Sequence, residues 1–149
     1  MMTRSEDEDT VRTAIKEFYR AFATKDVALL RSVVTEDWEY IPGPPGAAPG
    51  ADQMASAFAR LAIALPDMKI VVLDLLLHGD RVGVRAEVSG TQSGELLGMT
   101  PSAKQVKFAI HSFHQMRGSL IAKTWHLEDW LTVFRQLGQL PTNLDSHLI

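Results

Sequence analysis

The spacing of apolar positions changes character halfway along the chain. Val11, Ala14, Ile15, Phe18 and Phe22 recur every three or four residues, which lines one side of a helix and predicts a core-facing helix near the N-terminus. Ser5, followed three residues later by Glu8, reads as a capping box at its start, where acids suit the positive end of the helix dipole. Asp26 as an N-cap, with Val27, Leu30, Val33 and Val34 as an apolar stripe, predicts a second, shorter helix. "EYIPGPPGAAPG" interrupts with four prolines and three glycines in twelve residues, and it reads as a loop. A third helix is expected from about Asp52, with Met54, Phe58, Leu61, Ala62 and Leu65 on one face and Pro66 ending it.

After "LPD" the period becomes two. "MKIVVLDLLLHGDRVGVRAEVSG" holds a β-rich run, a turn at "HGD", and Val82, Val84, Ala86 and Val88 in alternation, as a hairpin with one buried face requires. "KQVKFAIHSFHQM" alternates again through Val106, Phe108 and Ile110, and "RGS" turns the chain into "LIAKTWHL". Four antiparallel strands are expected, then a C-terminal helix around residues 130 to 137 closed by Gly138 and Pro141. Helices followed by a meander of strands predict an α+β domain. A strongly curved sheet wrapped on the first helix would enclose a conical cavity, the usual kind of ligand site.

Composition narrows the function classes. A chain of 149 residues fits one domain, with a core of about 8–141 and a tail of 142–149. No apolar run is long enough to cross a bilayer, and the acidic N-terminus has no apolar segment of the secretory kind, so no membrane partner and a cytoplasmic location are expected. Cysteine is absent, which excludes disulfides, thiolate metal sites and a cysteine nucleophile. Net charge is −3 and the basic residues form no stripe, which argues against nucleic acid. The partner is expected to be a hydrophobic small molecule or a second copy of the chain.

Candidate chemistry concentrates in "TWHLEDW", where two carboxylates and an imidazole lie between two tryptophans. If the preceding strand persists, Trp125 and Asp129 share one face and are expected to point inward, leaving His126 and Glu128 on the exposed side. Capping the C-terminal helix is the plain alternative for Asp129. His114 shares the face of Val106, Phe108 and Ile110 and is expected inside, either as a core histidine or as a hydrogen-bonding group for a substrate oxygen. His111 has the opposite parity. Tyr19 and Phe22 can reach a cavity mouth from the first helix, and Phe22 also fits plain core packing. Trp38, Glu39 and Tyr40 precede the proline-rich loop, which a lid and a plain surface loop explain equally well. No metal is expected: His111 and His114 lie on opposite faces of one strand and no third histidine completes a site. No phosphate- or dinucleotide-binding glycine loop occurs, and no cofactor is expected.

"LPDMKI", "GDRVGVRAEVSGTQSGELLGMTPSAKQVKF" and "GSLIAKTWHLEDWLTVFRQLGQLP", in that order, resemble the SnoaL-like polyketide cyclases, also called ester cyclases, of the nuclear transport factor two-like superfamily. The resemblance covers about residues 10 to 141. It implies a cystatin-like α+β cone with a central cavity, no cofactor, and pairing of two copies through the open sheet face, for which Phe113 on the outer side is a sequence hint. It further implies an intramolecular aldol condensation in which one aspartate, nine residues before the glycine of "RQLG", serves as acid and base. That position is Asp129, with His114 as the pocket histidine. Apart from the resemblance, Tyr40, Trp125, Phe22, Tyr19 and Trp38 are the residues expected to contact substrate. Two departures stand out. The family's Gly-x-x-Pro-Thr-Gly turn appears as "GMTPSAK", and Glu39–Tyr40 occupy the place of a common Asp–His pair. Two other outcomes compete: an epoxide hydrolase or enone isomerase of the same superfamily, for which Arg81 and Arg85 have the wrong parity, and a binding protein without catalysis.

Overall fold

A computed structural model describes residues 4–141. α1 (Arg4–Thr24) and α2 (Val27–Val33) open the chain, with Asp26 capping α2 by accepting the Leu29 N–H at 3.0 Å. α1 is already helical at Arg4, so Ser5 lies within it, and the expected cap falls on a side chain outside the described set. A 3-10 turn (Ala51–Met54) leads into α3 (Ala55–Ala64), which ends before Pro66 as its sequence requires. The strands follow as β2 (Lys69–His78), β3 (Arg81–Thr91), β4 (Gln105–Arg117) and β5 (Leu120–Glu128). α4 (Trp130–Leu137) closes at Gly138, whose φ of 65° suits a residue without a Cβ.

The α+β architecture is as expected, with one strand more than the pattern announces. Val34–Ile41 forms β1, which pairs in parallel with β5, so the open sheet is mixed and ordered β1-β5-β4-β3-β2. Val34, read as the end of a helical stripe, is the first strand residue. Trp38 and Tyr40 then turn inward while Asp37 and Glu39 face out. The partner of β1 lies at the far end of the sequence, and no local pattern reports such a pairing.

Strand alternation sorts the sheet into two faces. Val82, Val84, Ala86 and Val88 of β3 and Val106, Phe108 and Ile110 of β4 are buried beneath the helices. α1 covers them with Ile15, Phe18 and Phe22, each of which contributes about 1.5–3 kcal/mol by leaving water. The β4–β5 register shifts between Gln115 and Met116, and Ile121 and Ala122 are consecutively buried there. Beyond that shift the even-numbered residues of β5 face the interior.

A buried polar chain fastens α1 to three strands. Trp38 Nε1–H donates to Thr124 Oγ1 at 3.1 Å, His114 Nδ1 meets the same oxygen at 2.9 Å, and His114 Nε2 meets Tyr19 Oη at 2.9 Å. Counting donors fixes the proton order. Indole only donates, so Thr124 receives from Trp38 and gives its own proton to Nδ1; Nε2–H then donates to Tyr19. The reverse order would leave the Thr124 hydroxyl proton without an acceptor. Tyr19 keeps its own hydroxyl proton for another acceptor, and Ser112 stands beside it on the same chamber. Burial holds His114 neutral and pushes its pKa down to about 3.

Two measurements check this packing. Gly94 lies against α3 so closely that an added Cβ would sit 2.5 Å from the Ile63 carbonyl oxygen, and Gly94→Ala is expected to cost about 1–3 kcal/mol in chemical denaturation. His114 is neutral when folded and protonated when unfolded below pH 6.5, so its stabilising contribution is complete above that pH and is lost as pH falls toward about 3. Wild-type minus His114→Gln stability is expected to rise with pH across that window, by up to about 1.4 kcal/mol per pH unit. Glu128, raised by burial, contributes with opposite sign above 4.5 in both proteins and cancels in the difference.

Candidate active site

β5 delivers His126 and Glu128 to the interior because the ladder places them opposite inward-facing residues of β4: Thr124 faces His114, His126 faces Ser112, and Glu128 faces Ile110. They meet a small chamber whose apolar walls are Phe18 and Phe22 of α1, Ile70 of β2 and Ile110 of β4. Tyr19, Ser112 and Tyr40 add hydroxyl groups to its lining. The open space is about 10 Å³, room for a single water-sized sphere.

His126 and Glu128 form a hydrogen-bonded pair through Nδ1 and Oε1. The other imidazole nitrogen, Nε2, lies 2.9 Å from the Pro42 carbonyl oxygen. A carbonyl only accepts, so Nε2 carries a proton, and the pair must hold a second one between Nδ1 and Oε1. The two groups therefore share that proton, as Glu–H against neutral imidazole or as carboxylate against imidazolium. Burial raises the Glu128 pKa above the ordinary glutamate value, and the bond to His126 opposes the rise. Among the described residues, no side chain other than His126 is hydrogen-bonded to the Glu128 carboxyl. Tyr40 lies flat on the imidazole, with ring centroids 3.8 Å apart and planes 4° from parallel.

Several expected orientations are corrected. Asp129 is exposed and caps α4, accepting the Thr132 N–H at 3.1 Å and the Thr132 hydroxyl, and those bonds pull its pKa below the usual aspartate value. A carboxyl held inside and partly protonated is the opposite of what this position provides. Trp125 stands on the outer sheet face, with the Arg81 guanidinium 5.2 Å and the Lys123 ammonium 5.6 Å from its ring centroid. His126 and Glu128, expected outside, are the residues that enter. The register shift between Ile121 and Lys123 accounts for the exchange, since the extra residue, Ala122, moves every later side chain to the other face.

The remaining candidates divide into two groups. Tyr19, Phe22 and Tyr40 line the chamber. His114 is fully buried, as expected, but it stands behind Tyr19 and reaches the chamber through that phenol; Trp38 stands one step further back, on Thr124. His111 is exposed. Ser112, His126 and Glu128 complete the set without having been anticipated as site residues. A cross-strand count through the "RGS" turn would pair His114 with Lys123 and leave His126 and Glu128 outside; the register shift that pairs His114 with Thr124 has no signal in the sequence. Among the described residues, no three His, Asp or Glu side chains converge as a metal site.

The sequence profile of the SnoaL-like polyketide cyclases matches residues 12–137. A search of proteins with curated function finds no match. Among solved structures, TsrD of Streptomyces laurentii is 26% identical with a TM-score of 0.80, over 94% of this chain and all (100%) of that one. An inferred polyketide cyclase of Bacillus cereus is 27% identical with a TM-score of 0.77, over 93% of this chain and 87% of its own. A Catenulispora acidiphila protein of ketosteroid isomerase-like fold, 17% identical with a TM-score of 0.70 over 85% of this chain and 93% of its own, shares the fold alone. A profile spanning most of the chain, together with an α-helical layer on an open five-stranded sheet, establishes that the chain belongs to the SnoaL-like polyketide cyclase family.

Proposed function

We propose that the chain is a cofactor-free acid/base enzyme acting on a hydrophobic, carbonyl-bearing small molecule, with Glu128 as the proton-transfer group. The observation that carries this reading is the inward pair of Glu128 and His126 among apolar walls, where a carboxyl keeps a raised pKa suited to both taking and returning a proton. Asp129, which the family resemblance singled out, faces solvent and is assigned to helix capping.

The chemistry follows atom by atom. Glu128, as the carboxylate beside imidazolium, takes a proton from the carbon next to a substrate carbonyl through Oε2. The electron pair of that C–H bond moves onto the carbonyl oxygen, which Tyr19, supplied with a proton by the Trp38–Thr124–His114 chain, can stabilise by hydrogen bonding with Ser112 at its side. In a ring closure the enolate carbon attacks a second carbonyl of the same molecule, and the new alkoxide takes the proton back from Glu128. Tyr19 and Tyr40 remain protonated, because burial raises both phenols.

A second copy of the chain is proposed on the outer sheet face. Leu76, Phe113 and Leu127 there are 74%, 64% and 73% exposed, and Trp125 continues the row beside Phe113. Ion pairs such as Arg85–Asp74 flank it, as a polar rim flanks an apolar contact.

Proton exchange next to the ketone of 6-hydroxy-2-tetralone in D2O, followed by NMR, tests the acid/base reading without a known substrate. Glu128→Gln is expected to lower protein-catalysed exchange by about 10²–10⁴-fold. Asp129→Asn, which keeps a capping side chain, is expected to stay within about threefold of wild type. The opposite ranking would return the role to Asp129. For self-association, sedimentation is expected to give twice the chain mass and Phe113→Glu the single-chain mass; a monomeric wild type would remove the proposed interface.

A further inference from the structure

The chamber that holds Glu128 has no lysine or arginine in its lining, so the counter-charge for a carboxylate there falls to His126. The other titratable groups around the pair are Tyr19 of α1, Tyr40 of β1 and His114 of β4. Burial keeps both phenols protonated and His114 neutral, so none of them supplies a charge. Phe18 and Phe22 of α1, Ile70 of β2 and Ile110 of β4 present only apolar surface. Whether an imidazolium persists in such a place depends on what else touches its ring.

β1 supplies two such contacts. It runs parallel to β5 with Tyr40 beside Thr124 and Ile41 beside Trp125, so Pro42 comes level with His126. The Pro42 carbonyl accepts the Nε2–H at 2.9 Å, and Nδ1 is turned onto Glu128. Tyr40 covers one flat side of the imidazole, with ring centroids 3.8 Å apart and planes 4° from parallel. That separation is shorter than the roughly 4.5–7 Å usual between neutral aromatic rings, which favour offset or edge-on contact, and it lies within the about 6 Å over which a cation is drawn to a ring face. Trp38 and Phe22 fix the Tyr40 ring in turn, with centroids at 5.2 and 5.7 Å. Both edges and one face of the imidazole thus meet groups that bind its protonated form more strongly than its neutral one: a carbonyl oxygen, a carboxylate and a π face.

We infer that Tyr40 is a positioning residue whose ring, together with the Pro42 carbonyl, holds the shared proton on His126 and so keeps Glu128 a carboxylate. The phenol hydroxyl takes no part in this; the π face does. Removing that face moves the proton from Nδ1 to Oε1 and leaves neutral imidazole beside a carboxylic acid, with no atom gained or lost. The inference rests on the acid/base reading of Glu128 only for the use made of the carboxylate, and the position of the proton is read without substrate.

Carbon NMR of the Glu128 carboxyl over a pH series, on the full chain, is the test. Tyr40→Phe keeps the π face, and its Glu128 carboxyl is expected to stay within about twofold of wild type in proton affinity. Tyr40→Leu keeps an apolar cover without a ring, and Tyr40→Phe made with pentafluorophenylalanine keeps the ring but reverses the charge of its face. Each of these two is expected to raise the proton affinity of the Glu128 carboxyl by about three- to thirtyfold. Wild-type affinity in the fluorinated protein would overturn the inference, since a rise in Tyr40→Leu alone reduces the ring to packing; so would an equal rise in ordinary Tyr40→Phe, which would assign the effect to the hydroxyl. The fluorinated ring decides the matter even if Tyr40→Leu does not fold. The expected rise together with undiminished ketone exchange in Glu128→Gln would contradict only the acid/base reading, whereas lost exchange in Glu128→Gln with no rise in the fluorinated protein would contradict only the role of Tyr40.

Discussion

Across the β4–β5 ladder His114 faces Thr124, and because strand side chains alternate with a period of two, that pairing commits His126 and Glu128 to the interior and Trp125 and Asp129 to the outside. The same two residues anchor the hydrogen-bonded chain from Trp38 to Tyr19, so the register of the sheet and the attachment of α1 are set by one contact. Losing a partner in that chain would leave a buried polar group unpaired, at a cost of about 1–3 kcal/mol, which gives the register an energetic guard. The chamber is what remains between α1 and the inward row of β5.

Adjacent carboxyl groups at positions 128 and 129 consequently live in opposite settings. Burial raises the pKa of Glu128 and ties it to an imidazole through a shared proton, while hydrogen bonds from Thr132 lower that of Asp129 in water. An acid/base catalyst needs the first environment and a helix cap the second. Tyr19 gains its role from the other direction: a phenol kept protonated by burial and fed by a one-way chain of donors is suited to holding a developing negative charge.

Much of this was legible in the residues. The amphipathic stripe of α1, the alternation of β3 and β4, the inward His114 and the family membership all follow from local periodicity and motif order. The facing of β5 did not, for a definable reason. Ile121 is buried, and counting by twos from it places Lys123 and Trp125 inside; the register shift at Gln115 and Met116 buries Ala122 as well and resets the count to even numbers. The bulk of Trp125 strengthened the wrong choice, although cations, not apolar walls, cover its ring. β1 was hidden because Val34 completes the helical stripe of α2 and its strand partner comes from the other end of the chain. Tyr40 was noticed for what it replaces in relatives, whereas its stacking on His126 depends on the pairing of β1 with β5.

Site-resolved carbon NMR of the carboxyl groups over a pH series reads the placement of these two acids directly. With Glu128 inside and Asp129 on the helix cap, the Glu128 carboxyl resonance titrates above the ordinary glutamate value of 4.5, and the Asp129 resonance titrates below the ordinary aspartate value of 3.8. An ordinary Glu128 beside an elevated Asp129 would contradict the inward placement of Glu128 and everything built on it.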